Sequence, residues 1–377
     1  MAVVQYVRVR PESDLFSPAT RAFGNILVVG AVDERARDID LRAVPAVNTA
    51  VTLISGADGI RQFPGPLGDA IAMAYRQTPG PSLVQAIRVD QARPDYARAL
   101  ELGGTLDVQF VVIAGVAAEG GEVARGGAIT ALVDHVDDVS KNGEDGRERM
   151  GVAMFRNGTA DPSSIRALAN DRMVYVAHKS DQDAAAAVAG AIAGYPPHIS
   201  PLLKEVKIDS AQFTGTEIIA INGTEDFSTP PAGRGVVWLT NPALIPGEAV
   251  YLGEAYTGNA GGGRKYIDIV RTLDDISFRL KARLIKTIGF LRISRSGLRT
   301  LLSQMEAVLD PLVADQVIES YTITIPILVM LDKPEADRTR SERDQINAAQ
   351  SDRLVTVITD VDYAGALHRL SVSLNLV

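Results

Sequence analysis

Cysteine is absent from the 377 residues, which excludes disulfides, thiolate metal sites and cysteine nucleophiles at once. Histidine is nearly as scarce. Its four copies, His135, His178, His198 and His368, fall at no H-x-x-x-H or H-E-x-x-H spacing, so no histidine metal site is legible. No G-x-S-x-G elbow presents a serine nucleophile. Long apolar runs are missing too: the longest, AAAAVAGAIAG at 184–194, is far too short to span a bilayer. The first residues lack the basic stretch and apolar core of a secretory signal. Positive charge is in deficit, with a net of −8, which argues against general affinity for nucleic acid. These absences describe a soluble protein made in the cytoplasm, with no catalytic, cofactor or metal residues to assign. They also leave it without a nucleic-acid partner and without direct insertion into a membrane.

What is present is a large apolar inventory. Hydrophobic residues make up 46% of the chain but aromatics only 5%, so Ala, Val, Ile and Leu must build the core, as in many α/β proteins. The length leaves room for two domains. Residues 22–255 alternate strand and helix. Strands are expected at 25–32, 82–89, 107–115, 149–155, 172–178 and 233–242. Helices are expected at 66–77, 127–142 and 180–197, the last capped by Ser180, with a short helical piece at 163–170. Continuous apolar strands between helices favour a mainly parallel sheet covered on both faces.

Five glycines in GEAYTGNAGGGRKY (253–266) mark a boundary. Beyond it the pattern becomes α+β. A long basic amphipathic helix is expected at 264–290 and a second at 296–318, broken near Asp310–Pro311. Strands follow at 319–331, 353–361 and 367–377. The terminal LHRLSVSLNLV alternates strictly, with Leu370, Val372, Leu374 and Leu376 against Ser371, Ser373 and Asn375. The N-terminal MAVVQYVRVRP is also strand-like, with Val7 and Val9 between arginines. Chain ends usually fray. Two well-formed strands there require something to pair with.

Three local constellations carry possible chemistry. GNAGGGRK (258–265) has the glycine separation of a phosphate loop, but Arg264, Lys265 and Tyr266 replace the Lys-Ser/Thr that such a loop needs; it reads as a hinge. Asp134, His135, Asp137 and Asp138 could in part share a helix face, which is either a metal site or a solvated face. Asn157 and Asn222 lie in N-G-T sequons that read as turns. Residues 264–299 hold ten basic side chains against three acidic ones, a net of +7 that leaves −15 for the rest. Such segregation suits docking to an acidic partner. Arg279, Arg283 and Lys286 would form one stripe of that helix, with Leu280, Leu284, Ile285 and Ile288 on its buried side.

Taken in order, these segments resemble the tail sheath proteins of contractile phage tails, R-type pyocins and contractile injection systems, in a minimal, pyocin-like form. NILVVGAV (25–32) followed by TLISGADGIRQFPGPLGDAIAMAYRQTPGPSLVQAIRV (52–89) is similar to the family's opening, and DVQFVVIAG (107–115) to its second strand. VYVAHKSDQDAAAAVAGAIAGYPPHISPLLKEVK (174–207) resembles the small-residue helix and its following Ser200–Pro201 pair. INGTEDFSTPPAGRGVVWLTNP (221–242) and RKYIDIVRTLDDISFRLKARL (264–284) resemble the later Gly-Val-Trp and Tyr-Ile-x-x-x-Arg regions. The longer outer insertions of large phage sheaths are absent.

The resemblance implies a non-enzymatic structural subunit that polymerises helically with itself around an inner tube protein, between baseplate and tail-terminator proteins, in a virion tail or extracellular particle. It implies an N-terminal linking arm (1–20), an outer α/β domain (21–255), an inner α+β domain (256–366) and a C-terminal linking strand (367–377). The inner sheet would be completed by neighbours' arms through Val7, Val9, Leu370, Val372, Leu374 and Leu376, with Arg279, Arg283 and Lys286 facing the tube. Open-ended strand exchange generates helices. The alternative is a soluble α/β enzyme with an unrecognised site.

Overall fold

A computed structural model describes residues 22–34, 43–141, 146–224, 233–259 and 261–369. The chain divides into two units. One comprises Ala22–Asp275 with the described residues from Gly365 onward; the other is built on Ile276–Ala364.

The larger unit is an eight-stranded sheet with helices on both faces. Its elements are β1 (Asn25–Ala31), β2 (Ala50–Leu53), α1 (Gly56–Gln62), α2 (Pro66–Tyr75), β3 (Leu83–Val89), α3 (Tyr96–Gly103), β4 (Phe110–Ala117), α4 (Ala128–Lys141), β5 (Met150–Met154), β6 (Met173–Ala177), α5 (Ala184–Ala193), α6 (Gly215–Asn222), β7 (Val236–Thr240) and β8 (Tyr251–Leu252). The strand order is β2-β3-β1-β4-β5-β6-β7-β8. The six inner strands run parallel, and β2 and β8 close the two edges antiparallel. The apolar runs thus become strands buried on both faces, as their lack of alternation requires. Along β1, Ile26 and Val28 enter the core under α2 and α5, while Leu27 and Val29 enter the core under α3 and α4.

The alanine-rich α5 is buried along its whole length. A Cβ added at Gly190 would lie 2.4 Å from the carbonyl oxygen of Ala74 in α2, so small residues here set the approach of two helices. The helix begins four residues later than expected. Its cap is Asp183, whose carboxylate accepts from Ala186 N at 2.8 Å; the Ser180 hydroxyl instead accepts from Gln182 N. A carboxylate that also accepts from Gly115 N out-competes the hydroxyl upstream.

Two arginines tie loops to this core. Arg149, 1% exposed, donates to the carbonyls of Gly103 and Leu106 at 2.9 Å and of Gly104 at 3.3 Å. Arg172 makes a two-point pair with Asp274 at 2.7 and 2.8 Å. The glycine-rich stretch is no linker between the units. It closes on itself through the Tyr256–Tyr266 bridge and the Thr257 N–Lys265 O bond, and the division falls instead at Asp275/Ile276, within α7 (Ile267–Leu284).

The smaller unit holds the end of α7, then α8 (Arg295–Ala314), β9 (Ile318–Thr324), α9 (Pro326–Asp332), α10 (Arg340–Asp352) and β10 (Ile358–Tyr363). Helix α8 is not broken at Pro311, which sits in its last turn, where one lost bond costs little continuity. Residues 319–331 are not one strand. Pro326 opens α9 as its first helical residue, with Leu328 and Leu331 buried; a short apolar run does not by itself distinguish strand from helix. Likewise 353–361 is mostly preceded by helix: α10 carries a Thr339/Glu342 capping box but a single buried residue, Ile346, too little to show a period. Ile276, Leu309, Leu312 and Ile318 form one small core, and Leu298, Leu328, Leu331 and Ile346 a second.

Candidate interaction surfaces

The larger unit offers clefts but little chemistry. One, of about 590 Å³, lies beside the C-terminal ends of β4 and β5 and is lined by Pro66, Asp69, Arg76, Gly115, Met154 and Asp183. Open α/β sheets bind ligands near such ends, where strand order reverses. Here Asp183 is already engaged as the α5 cap, burial pushes its carboxyl up from the ordinary range, and no histidine, serine or lysine lines the cleft. A second, of about 550 Å³, lies against α3 and α4. His135 lies there, but it is turned inward. Arg149, which can only donate, contacts its Nε2 at 3.4 Å, so that nitrogen accepts and the ring is neutral. Burial, then the Arg149 charge, lowers His135 to about 4. Asp134 and Asp138 are exposed and Asp137 pairs with Lys141. Among the described residues no group of three or more His, Asp or Glu could hold a metal ion.

The smaller unit offers edges. Strands β9 and β10 pair antiparallel, from Ile358↔Thr324 to Tyr363↔Ile318, and no third described strand joins them. A two-stranded sheet is marginal alone. Its two outer edges are templates for an added strand.

The basic helix departs from expectation at its end. Arg279 and Arg283 are half-buried on α7, and each already has a partner within the chain. Lys286 is exposed and lies beyond the helix, which stops at Leu284. Turns follow, closed by Thr287 N–Leu284 O and Phe290 N–Thr287 O bonds, with Gly289 at φ +87°. Ile285 and Ile288, expected on a buried face, are therefore 69% and 75% exposed, beside Phe290 at 84%. The helical period ran out before they were reached. These exposed apolar residues of the turn are interspersed with Lys286 and followed by Arg292.

Val7, Val9, Leu370, Val372, Leu374 and Leu376 lie outside the described residues. The base of the C-terminal segment is described, and it docks on the larger unit. His368 places Nε2 2.9 Å from the Ser200 hydroxyl and Nδ1 2.9 Å from Glu254 Oε1. The edge of its ring meets Tyr266 at 4.6 Å. Arg369 donates to Glu254 Oε2 at 3.3 Å and to the Tyr256 hydroxyl at 3.4 Å. The Glu254 carboxylate is buried. Sequence reasoning missed this cluster, since its members are up to 168 residues apart and Glu254 sits in the glycine-rich stretch that reads as a boundary.

No protein-family model matches the chain, and no curated protein matches it. Solved structures do. The sheath of an extracellular contractile injection system (PVC) in its contracted state is 15% identical, with a TM-score of 0.66 over 100% of this chain and 98% of that one. The helical sheath of the anti-feeding prophage in its contracted state is 12% identical, with a TM-score of 0.67 over 100% and 99%. A chain of that prophage's six-fold baseplate structure is 11% identical, with a TM-score of 0.64 over the same shares. From end to end, this chain has the fold of the sheath proteins of contractile injection systems.

Proposed function

We propose that the protein is the structural subunit of a contractile sheath. It polymerises helically around an inner tube and, on a baseplate signal, relaxes to a shorter, wider lattice that drives the tube through a target envelope. The full-length likeness to contracted sheaths carries this reading. The two-stranded sheet of the smaller unit supports it, because residues 1–20 and, with His368 and Arg369 docked on their own chain, residues 370–377 of the expected 367–377 strand supply from neighbouring copies the strands it lacks. Each joint is heterologous, so copies add without closing. The work comes from the additional surface that subunits bury against one another in the shorter lattice, with no nucleotide consumed. After synthesis in the cytoplasm the subunit takes its place in a virion tail or extracellular particle, between baseplate and tail-terminator proteins. The one arrangement that could favour the enzyme alternative, the Ser200–His368–Glu254 linkage, sits in surroundings that oppose catalysis.

Arg279, Arg283 and Lys286 face the tube in this reading, with Lys286 set among the exposed Ile285, Ile288 and Phe290. Exposed ion pairs are individually weak, but every ring repeats them. Electron microscopy of the purified protein decides the main point: long hollow cylinders are expected, and small discrete particles alone would overturn it. Lys286→Glu should leave tube-free cylinders intact while most tube-bound sheath is lost, and salt should loosen the native contact through screening over about 8 Å at physiological ionic strength. Equal co-assembly by the variant would place the tube contact elsewhere.

A further inference from the structure

We infer that Ser200, Glu254, Tyr256 and Tyr266 form a receptor for the His368–Arg369 pair, which anchors the base of the C-terminal segment on the larger unit of its own chain. Reach toward a second copy is then counted from Arg369, at no more than about 3.3–3.6 Å per residue beyond it. The purpose assigned to the anchor rests on the sheath reading; its existence does not.

The receptor reads its ligand at several points. Both imidazole nitrogens of His368 are engaged, by Ser200 and Glu254 at 2.9 Å each. A buried carboxylate is costly unless cations or donors meet it. Glu254 receives the Ala255 backbone N–H at 3.0 Å, and its charge is met from the segment by His368 and Arg369. Tyr256, fully buried, stacks on Tyr266 at 5.6 Å, and Lys265 lies over both rings. These contacts fix the aromatic wall against which the imidazole rests.

Ser200, His368 and Glu254 also have the linkage of a hydrolytic relay. The surroundings oppose that use. Pro201, directly after the serine, has no N–H to stabilise an oxyanion, and the Ser200 oxygen already accepts from Leu202 N at 3.3 Å. Arg369 holds the second carboxylate oxygen. The cluster binds a segment of chain rather than activating a nucleophile.

Trypsin provides the test, because it cuts after Arg369 only when that side chain leaves Glu254. Unassembled wild-type subunit should be cut slowly there. His368→Ala and Glu254→Gln should each speed cleavage about tenfold or more, the effect of losing a hydrogen bond to a charged group. Hydrogen exchange at 365–369 should rise in parallel. Should Glu254→Gln unfold the unit, His368→Ala, which alters only the docked segment, decides alone. Wild-type cleavage as fast as the variant's would overturn the anchor, and so would labelling of Ser200 by a fluorophosphonate probe. Failure of wild-type protein to form cylinders would sink the sheath reading yet leave protection at Arg369 to stand or fall separately.

Discussion

A chain ending at Arg369 is expected to fold, stay soluble and form no cylinders. The cut falls after the His368–Arg369 contacts, so the larger unit keeps both partners of Glu254. What is lost is the alternating stretch 370–377, with Leu370, Val372, Leu374 and Leu376 on one face. Burying a Leu or Val side chain contributes about 1.5–3 kcal/mol, and ordering the segment opposes much of the total. A net of even about 3 kcal/mol per joint is about 150-fold in affinity. Sedimentation should therefore show monomers at concentrations where the full chain is wholly polymeric. Thermal unfolding should change little, as for a surface change within about 0.5 kcal/mol. Normal cylinders from the truncated chain would remove the linking role. A collapse of thermal stability would instead put residues 370–377 in their own subunit's core.

The sheet of the larger unit is legible in the sequence because its strands are continuous apolar runs, and such runs between helices admit few architectures. NILVVGA forms β1 to within one residue of the expected 25–32, and β4 (Phe110–Ala117) shares residues 110–115 with the expected 107–115. The smaller unit is less legible, since its elements carry weaker signals. Pro326 is decisive for α9, yet a run such as IPILVML has strand propensity and no visible period. Helix α10 is polar with one buried residue; only its Thr339/Glu342 box announces it. The basic stripe reads on past Leu284 because periodicity says nothing about where packing stops. The docked base of the C-terminal segment is illegible for a different reason. Ser200, Glu254 and His368 meet only when three distant stretches are folded, and no local spacing encodes that.

Arg149→Met is expected to cost the larger unit about 1–3 kcal/mol, because one buried and two partly buried carbonyls lose a charged donor, and two of the three keep a backbone N–H. The guanidinium bonds Gly103, Gly104 and Leu106, the turn that joins α3 to β4; without it the Gly103 and Leu106 carbonyls keep the Leu106 and Val108 N–H groups, and Gly104 loses the donor that Arg149 gives it. Against a typical total of about 5–15 kcal/mol, the urea midpoint should fall steeply and yield should drop with it. Met retains much of the volume, so a small loss would mean that the turn finds other donors and that Arg149 only fills space. The same site gives a pH signature in wild type. His135 is held neutral down to about 4, by burial first and by Arg149 second. Between there and the ordinary imidazole value the unfolded chain binds more protons, so stability is full above that window and falls as pH drops through it. The His135 contribution is on the order of 3 kcal/mol. His178, also lowered chiefly by burial, adds in the same direction. His135→Gln, which keeps an acceptor for Arg149 but does not titrate, should flatten the slope of unfolding free energy between pH 6.5 and 4; an unchanged slope would assign it to His178 and the carboxylates instead.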